Sequence, residues 1–130
     1  MSEKRFVTAI NCMDGRVQKC VNRWLKNLYQ VDYVDVTTAP GPVRILASGE
    51  PEYLAASIQR CPTVSVEKHC SPAVAIVAHH DCAVNPLTRE TQIERLLQAG
   101  ERLRNLFPEL DIRLLWVDEN WKVHEIRAQE

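Results

Sequence analysis

Apolar and polar positions along this chain follow two alternating periods, and each change of period marks an element. Phe6 to Asn11 is a short apolar run with β-branched Val7, Thr8 and Ile10; it reads as a first strand ending where Cys12 begins. From Val17 to Tyr29 the step changes: Val17, Val21, Trp24, Leu25 and Leu28 recur every three or four residues, the stripe of an amphipathic helix. Tyr33 to Thr38 returns to strand character, and Ala39-Pro40-Gly41-Pro42 breaks it into a turn or loop. Two helices are expected next, Pro51 to Arg60 with proline in its first turn and a short one from Val64 to His69. Ala73 to Ala78 is apolar throughout, as suits a central parallel strand covered on both faces, and it delivers His79 at its tip. A long amphipathic segment opens at Pro86 and runs to Leu106, with Ile93, Leu96, Leu97, Leu103 and Leu106 on its stripe and Gly100 as a tolerated weak spot. Ile112 to Val117 is the fourth strand, and Asp118-Glu119-Asn120 turns the chain into Trp121 to Ile126, an edge strand folding back antiparallel. The alternation predicts a three-layer α/β fold: a central, mostly parallel β-sheet of four strands plus an antiparallel C-terminal edge strand, flanked by helices.

Composition adds limits rather than a direction. With 130 residues, 45% of them hydrophobic and 25% charged, the chain is expected to form one domain over residues 1–130 whose core needs no covalent staples. Sixteen basic against 17 acidic side chains, a net charge of −1, give no basic field for a phosphate backbone, so nucleic acid is not an expected partner. For the same reason Trp24, Trp116 and Trp121 read as core and interface aromatics rather than a stacking platform. No apolar run approaches the roughly 20 residues of a membrane span, and Met1 to Arg5 lead straight into a strand rather than a signal-peptide core, so the expected setting is cytoplasmic, away from membranes. Five cysteines in a reducing compartment read as buried, metal-bound or reactive thiols, and no disulfide is expected. Cys20, Cys61 and Cys70 have no paired spacing, which makes core packing their default, while adjacent His69 and Cys70 diverge on a helix and His124 is expected at a surface or interface.

The chemistry concentrates in two short segments. Cys12 and His79 lie at the carboxyl ends of two strands, where open α/β sheets gather functional groups, and Cys82 is one loop turn further on. Two sulfurs and one imidazole form a zinc set with a tetrahedral corner still free for a catalytic water, which points to a small zinc lyase or hydrolase. The plainer alternative is that His-x-x-Cys arises by chance and that each Cys is a small buried apolar residue. Asp14 and Arg16 place a carboxylate and a guanidinium on the loop after Cys12, either as a bidentate pair that keeps the carboxylate ionised or as a helix cap with a solvated ion pair. A phosphatase loop is disfavoured, since its Arg follows the Cys by six residues and Gln18 stands there.

Cys12-Met13-Asp14-Gly15-Arg16 after the first strand and His79-His80-Asp81-Cys82 after the third, in an α/β chain of this order, resemble the β-class carbonic anhydrases, and the resemblance runs from Phe6 to Ile126. It implies that Cys12, His79 and Cys82 hold Zn2+. It implies that Asp14 accepts a hydrogen bond from a zinc-bound hydroxide or takes the fourth position itself, and that Arg16 holds Asp14. The implied reaction is reversible hydration of CO2 to bicarbonate, and the implied assembly is a homodimer or higher homo-oligomer with each site near a subunit interface. His80 and Asp81 are candidate proton carriers, or simply face solvent or cap the next helix. Several positions depart from the family pattern: Gly15 replaces the usual Ser, Thr37 to Pro42 replaces a segment carrying an Arg/Asn pair, and Ala83 replaces the usual Gly; with the first strand so near Met1, no helical arm is expected before it. Two further readings therefore stand beside hydration: a hydrolase of carbon disulfide or carbonyl sulfide on the same scaffold, and a non-catalytic relative that binds zinc or a small anion.

Overall fold

In the computed structural model, which describes residues 5–127, the chain runs β1 (Phe6–Cys12), a short 3-10 turn (Gly15–Val17), α1 (Gln18–Tyr29), β2 (Tyr33–Ala39), α2 (Pro42–Ser48), α3 (Glu52–His69), β3 (Ala73–His79), α4 (Arg89–Leu106), β4 (Asp111–Val117) and β5 (Val123–Ile126). Strand order is β2-β1-β3-β4-β5; the first four are parallel and β5 pairs antiparallel with β4. The three-layer α/β sheet expected from the pattern is the sheet that forms. The reading of the extreme N-terminus, from Met1 to Lys4, lies outside the described residues.

Period-two alternation in the strands divides the core between the two faces of the sheet. Val7 and Ala9 of β1, Ala73, Ala75 and Val77 of β3 and Leu115 and Val117 of β4 pack with Val21 and Leu25 of α1. Ile10, Val74, Ile76, Ala78, Leu114 and Trp116 point the other way, against Val43 and Leu46 of α2, Ile58 of α3 and Leu96, Ala99 and Leu103 of α4. Because helices cover both faces, β3 is buried at every position.

Five local readings are corrected. The segment after Pro42 is a helix rather than a loop: Gly41 enters at φ +55°, Pro42 takes the first turn, and Gly49 closes the helix at φ +76° with its N–H on the Ile45 carbonyl. Seven residues are too few for a helical period to register. The two helices expected between 51 and 69 are one, α3, which continues through Pro62 because the ring is buried on the same face as Ile58 and Ser65. Pro86 does not open α4; Thr88 caps it, accepting a hydrogen bond from the Thr91 N–H. Trp121 precedes β5, in a turn at φ +60°. Cysteines outside the paired segments do not fill the core as expected: Cys61 and Cys70 are exposed, on the solvent side of α3 and at its left-handed C-cap, and Cys20 is half-buried on α1. His124 is exposed, as anticipated, and its Nε2 lies 2.7 Å from Asp118 Oδ2.

One feature of register shapes the site. β1 and β2 stay paired out to Cys12 opposite Ala39, and β3 and β4 out to His79 opposite Val117. Between β1 and β3 pairing stops at Ile10 opposite Ile76, so the two central strands part before their carboxyl ends. This is also where the connections reverse direction, β1 leading outward to β2 and β3 to β4, and such a switch point leaves a crevice. Among the described residues no helix is long and apolar enough to cross a membrane.

Candidate metal centre

The crevice brings together the donors that the sequence separates. Cys12 ends β1, His79 ends β3, and Cys82 follows in a turn closed by the Asn85 N–H on the Cys82 carbonyl at 3.2 Å. One ligand atom from each of Cys12, His79 and Cys82 lies within 4.8 Å of the others, and all three residues are buried. Both thiols are free. The imidazole is already oriented: Nδ1 lies 2.8 Å from the His80 carbonyl oxygen, which can only accept, so Nδ1 carries the hydrogen and Nε2 keeps a lone pair. Nε2 is buried and has no hydrogen-bond partner. The three donors fit zinc by chemistry and by position: two sulfurs, one nitrogen whose tautomer is set for coordination, and an unpartnered buried atom among them.

Electrostatics supports the same grouping. Burial opposes a thiolate at Cys12, but the His79 imidazole and the backbone N–H groups of Gly41 and Asp14 outweigh it and hold the thiol at about 7. Burial likewise opposes an imidazolium at His79, yet the Cys12 sulfur, the His80 carbonyl and the Asp14 charge together push its pKa up. Cys82 is pushed up, first by burial and then by the neighbouring Cys12.

Asp14 and Arg16 stand at the mouth of the crevice. Asp14 caps the 3-10 turn, its Oδ1 accepting from the Arg16 backbone N–H at 2.9 Å, and the Arg16 fork adds Nε on Oδ1 at 3.0 Å and Nη2 on Oδ2 at 2.6 Å. The cap and the bidentate pair, alternatives in the sequence, coexist. That guanidinium holds the Asp14 carboxyl down at about 2. Arg16 is itself fixed from two sides: Nη1 reaches Asp81 Oδ2 at 3.2 Å, and its guanidinium carbon lies 4.6 Å from the centre of the Trp121 ring. Of the two candidate proton carriers, Asp81 is thereby engaged with Arg16 while its side chain stays 70% exposed, and His80 is exposed, its ring centre 6.4 Å from that of Trp121 at an interplanar angle of 63°.

The family model described as "Putative carbonic anhydrase" matches residues 2–127. The chain belongs to this carbonic anhydrase family. Among solved structures it is similar to a carbonic anhydrase from Glaciozyma antarctica, at a TM-score of 0.60 and 18% identity over 92% of this chain and 81% of that one. It is similar also to a tetrameric β-carbonic anhydrase from Sordaria macrospora, at 0.57 and 10% identity over 98% of this chain and 83% of that one. A third likeness is to the β-carbonic anhydrase CafA of Aspergillus fumigatus, at 0.51 and 11% identity over 98% and 77%. No curated protein matches the chain in sequence. At these identities the structural likeness carries the fold, which is that of the β-carbonic anhydrases.

Within this carbonic anhydrase fold, several positioning residues escape a reading by motif. Asn11, fully buried, accepts from the Cys12 N–H at 2.9 Å and donates to the Val17 carbonyl at 3.1 Å, which ties the loop around Cys12. Gln18 donates to the Cys12 carbonyl at 2.6 Å and to the Asp14 carbonyl at 3.2 Å. Gln92 donates from α4 to the His79 carbonyl at 3.1 Å. Polar residues at 11 and 92, facing inward on otherwise apolar stripes, are the signal that could have found two of them. Gly15 and Gly41 differ in kind: a Cβ at Gly15 meets nothing within 4 Å, whereas at Gly41 it would lie 2.5 Å from Val84 Cγ2 and 2.8 Å from Asn85 Nδ2.

Proposed function

We propose that the protein catalyses the reversible hydration of carbon dioxide to bicarbonate, with zinc held by Cys12, His79 and Cys82. The observation that carries this reading is the convergence of two buried thiols and an oriented imidazole at the switch point of a carbonic anhydrase sheet. Zinc, when bound, supplies a Lewis acid that makes water a nucleophile near neutral pH, lowering its pKa from about 15.7 toward about 7. The remaining work falls to the chain's own side chains. Asp14, whose carboxyl the Arg16 guanidinium holds down at about 2, accepts a hydrogen bond from the attacking water and turns a lone pair toward the carbon of CO2. Arg16 holds that carboxylate in place and, with Asp81 and Trp121, keeps it at the mouth of the crevice rather than among the donors. The apolar wall formed by Val43, Val77 and Ala78 leaves a cavity of about 10 Å³ beside the triad, space for one water-sized molecule. Thiol ligands suit a reducing compartment, so the cytoplasm is the proposed location, and a homodimer or larger homo-oligomer the proposed assembly.

The test combines metal content with rate. Elemental analysis is expected to find about one zinc per subunit in the wild type and a strong loss in Cys82→Ala, while stopped-flow CO2 hydration by the zinc-replete wild type exceeds the buffer rate. Equal metal in both proteins overturns the ligand set. A zinc-replete protein with no rate on CO2 overturns the hydration reading, and turnover of carbon disulfide in its place would make the protein a hydrolase on this scaffold.

A further inference from the structure

A roomier cavity lies at the other end of α2 from the triad. Pro42 and Val43, where the helix begins, line the small cavity beside Cys12 and His79, whereas Ser48 and Gly49, where it ends, line an open groove of about 1080 Å³. The opposite wall is α4, whose Arg95, Gln98 and Arg102 fall three and four residues apart on one stripe. Arg44 reaches the groove from α2, and Glu50 and Glu52 reach it from the entry to α3. Three guanidinium groups thus line one groove, and among the described residues none of them forms an ion pair, although two glutamates share the space.

Arg102 is held ready. It is half-buried, its Nε donates to the Leu46 carbonyl at 2.7 Å in the last turn of α2, and its Nη1 donates to Gln59 Oε1 at 3.4 Å. Gly49, at φ +76°, packs so closely that a Cβ there would overlap Arg102 Nη2. Support of the helix C-terminus accounts for the Nε bond. It does not account for Arg44 and Arg95, which bring two more positive charges to the same groove in a chain of net charge −1. Like charges gathered without an anion repel one another, and a bound anion would offset that repulsion.

We infer that this groove binds an organic phosphate bearing hydroxyl groups, with the phosphate on Arg44, Arg95 and Arg102 and the hydroxyls on Ser48, Glu50 and Glu52. A guanidinium fork matches phosphate oxygens bidentately, and one fork fixed in advance loses little freedom on binding. The glutamates set the rest of the ligand: an ionised carboxylate only accepts, so it repels a bare anion and rewards a donor next to the phosphate. The groove also has more room than inorganic phosphate needs, at the upper end of the roughly 300–1,000 Å³ of small-molecule pockets. The site is separate from the metal centre and does not depend on the reaction proposed there.

The test titrates the full chain calorimetrically with ribose 5-phosphate, sodium phosphate and ribose, and repeats the titration on Arg44→Gln and Arg95→Gln. Ribose 5-phosphate is expected to bind with a Kd below about 1 mM, roughly tenfold or more tighter than sodium phosphate or ribose. Each variant is expected to weaken it roughly tenfold while keeping the wild-type thermal midpoint, because neither side chain is bonded elsewhere among the described residues. Amide NMR shifts on addition fall on Ser48 to Glu52 and on Arg95 to Arg102, and spare Cys12, His79 and Cys82. Absence of binding overturns the inference, as does equal affinity for sodium phosphate or for ribose. Affinity unchanged in both variants, or shifts centred on the triad, overturns it as well, and none of these outcomes touches the hydration reading.

Discussion

Arg16 decides the charge state of Asp14. Bidentate contact with one guanidinium lowers the Asp14 pKa to about 2, from an ordinary value near 4. A depressed folded-state pKa means that the ion pair adds stability above the unfolded value of about 4 and loses that contribution as pH falls toward about 2. Because Arg16 is largely exposed, the effect on stability is small, and the effect on orientation is the larger one. In Arg16→Gln the Asp14 carboxyl is expected to titrate about two units higher by carbon NMR, close to the ordinary value. CO2 hydration is expected to fall at least about tenfold while zinc content stays constant. An unmoved Asp14 titration would show that something other than Arg16 sets its charge. The grouping of Cys12, His79 and Cys82 and the contact between Asp14 and Arg16 are legible in the chain because strand ends and short spacings expose these candidate residues. What holds Arg16 is not, since Asp81 and Trp121 both sit at positive φ, +59° and +60°, in turns that carry no period.

Element by element, the sheet was readable and the helices were less so. Apolar or alternating runs announced β1 to β4: β1 and β3, buried on both sides, need nearly unbroken apolar stretches, while β2, an edge strand with one buried position, shows itself by its β-branched residues. The helices failed where a single residue has two meanings. Gly100 reads as a weak point in α4, yet a Cβ there would lie 2.6 Å from Leu114 Cδ2, so the glycine is what lets α4 rest on β4. Helix propensity favours Gly100→Ala by about 1 kcal/mol, but overpacking a core costs about 1–3 kcal/mol, and Leu114 is 1% exposed with little room to yield. The variant is expected to melt a few degrees below wild type, and a higher midpoint would mean that Leu114 repacks freely. Pro62 is the reverse case, a residue that reads as a helix end and is not. Replacing it with Ala restores a backbone donor and removes a ring clash worth about 3 kcal/mol, against the loss of roughly two buried methylenes at about 0.8 kcal/mol each. Pro62→Ala is expected to raise the urea midpoint by the equivalent of about 1 kcal/mol. A lowered midpoint would show that the ring's burial against the sheet outweighs the missing hydrogen bond.

At the scale of the whole molecule, an ion on Cys12, His79 and Cys82 would join two strands that the sheet itself leaves apart. Pairing between β1 and β3 ends at Ile10 opposite Ile76, and beyond that point the crevice is spanned by side chains rather than by backbone hydrogen bonds. Any ligand that binds the folded chain stabilises it by mass action, about 4 kcal/mol when its concentration is a thousand times the dissociation constant. For a chain of this length that corresponds to a thermal midpoint roughly 10 °C higher. Treating the wild type with a strong chelator is therefore expected to lower its midpoint by about that amount, and adding back zinc to restore it. Cys82→Ala should begin near the chelated wild type and respond weakly to either treatment. The response must also depend on pH, because zinc takes the thiolates. Burial keeps Cys82 protonated past the ordinary thiol range, so binding releases protons and weakens as the solution is acidified. A midpoint that ignores both chelator and Cys82→Ala, across neutral and alkaline buffers, would mean that the two thiols and the imidazole share a crevice without sharing an ion.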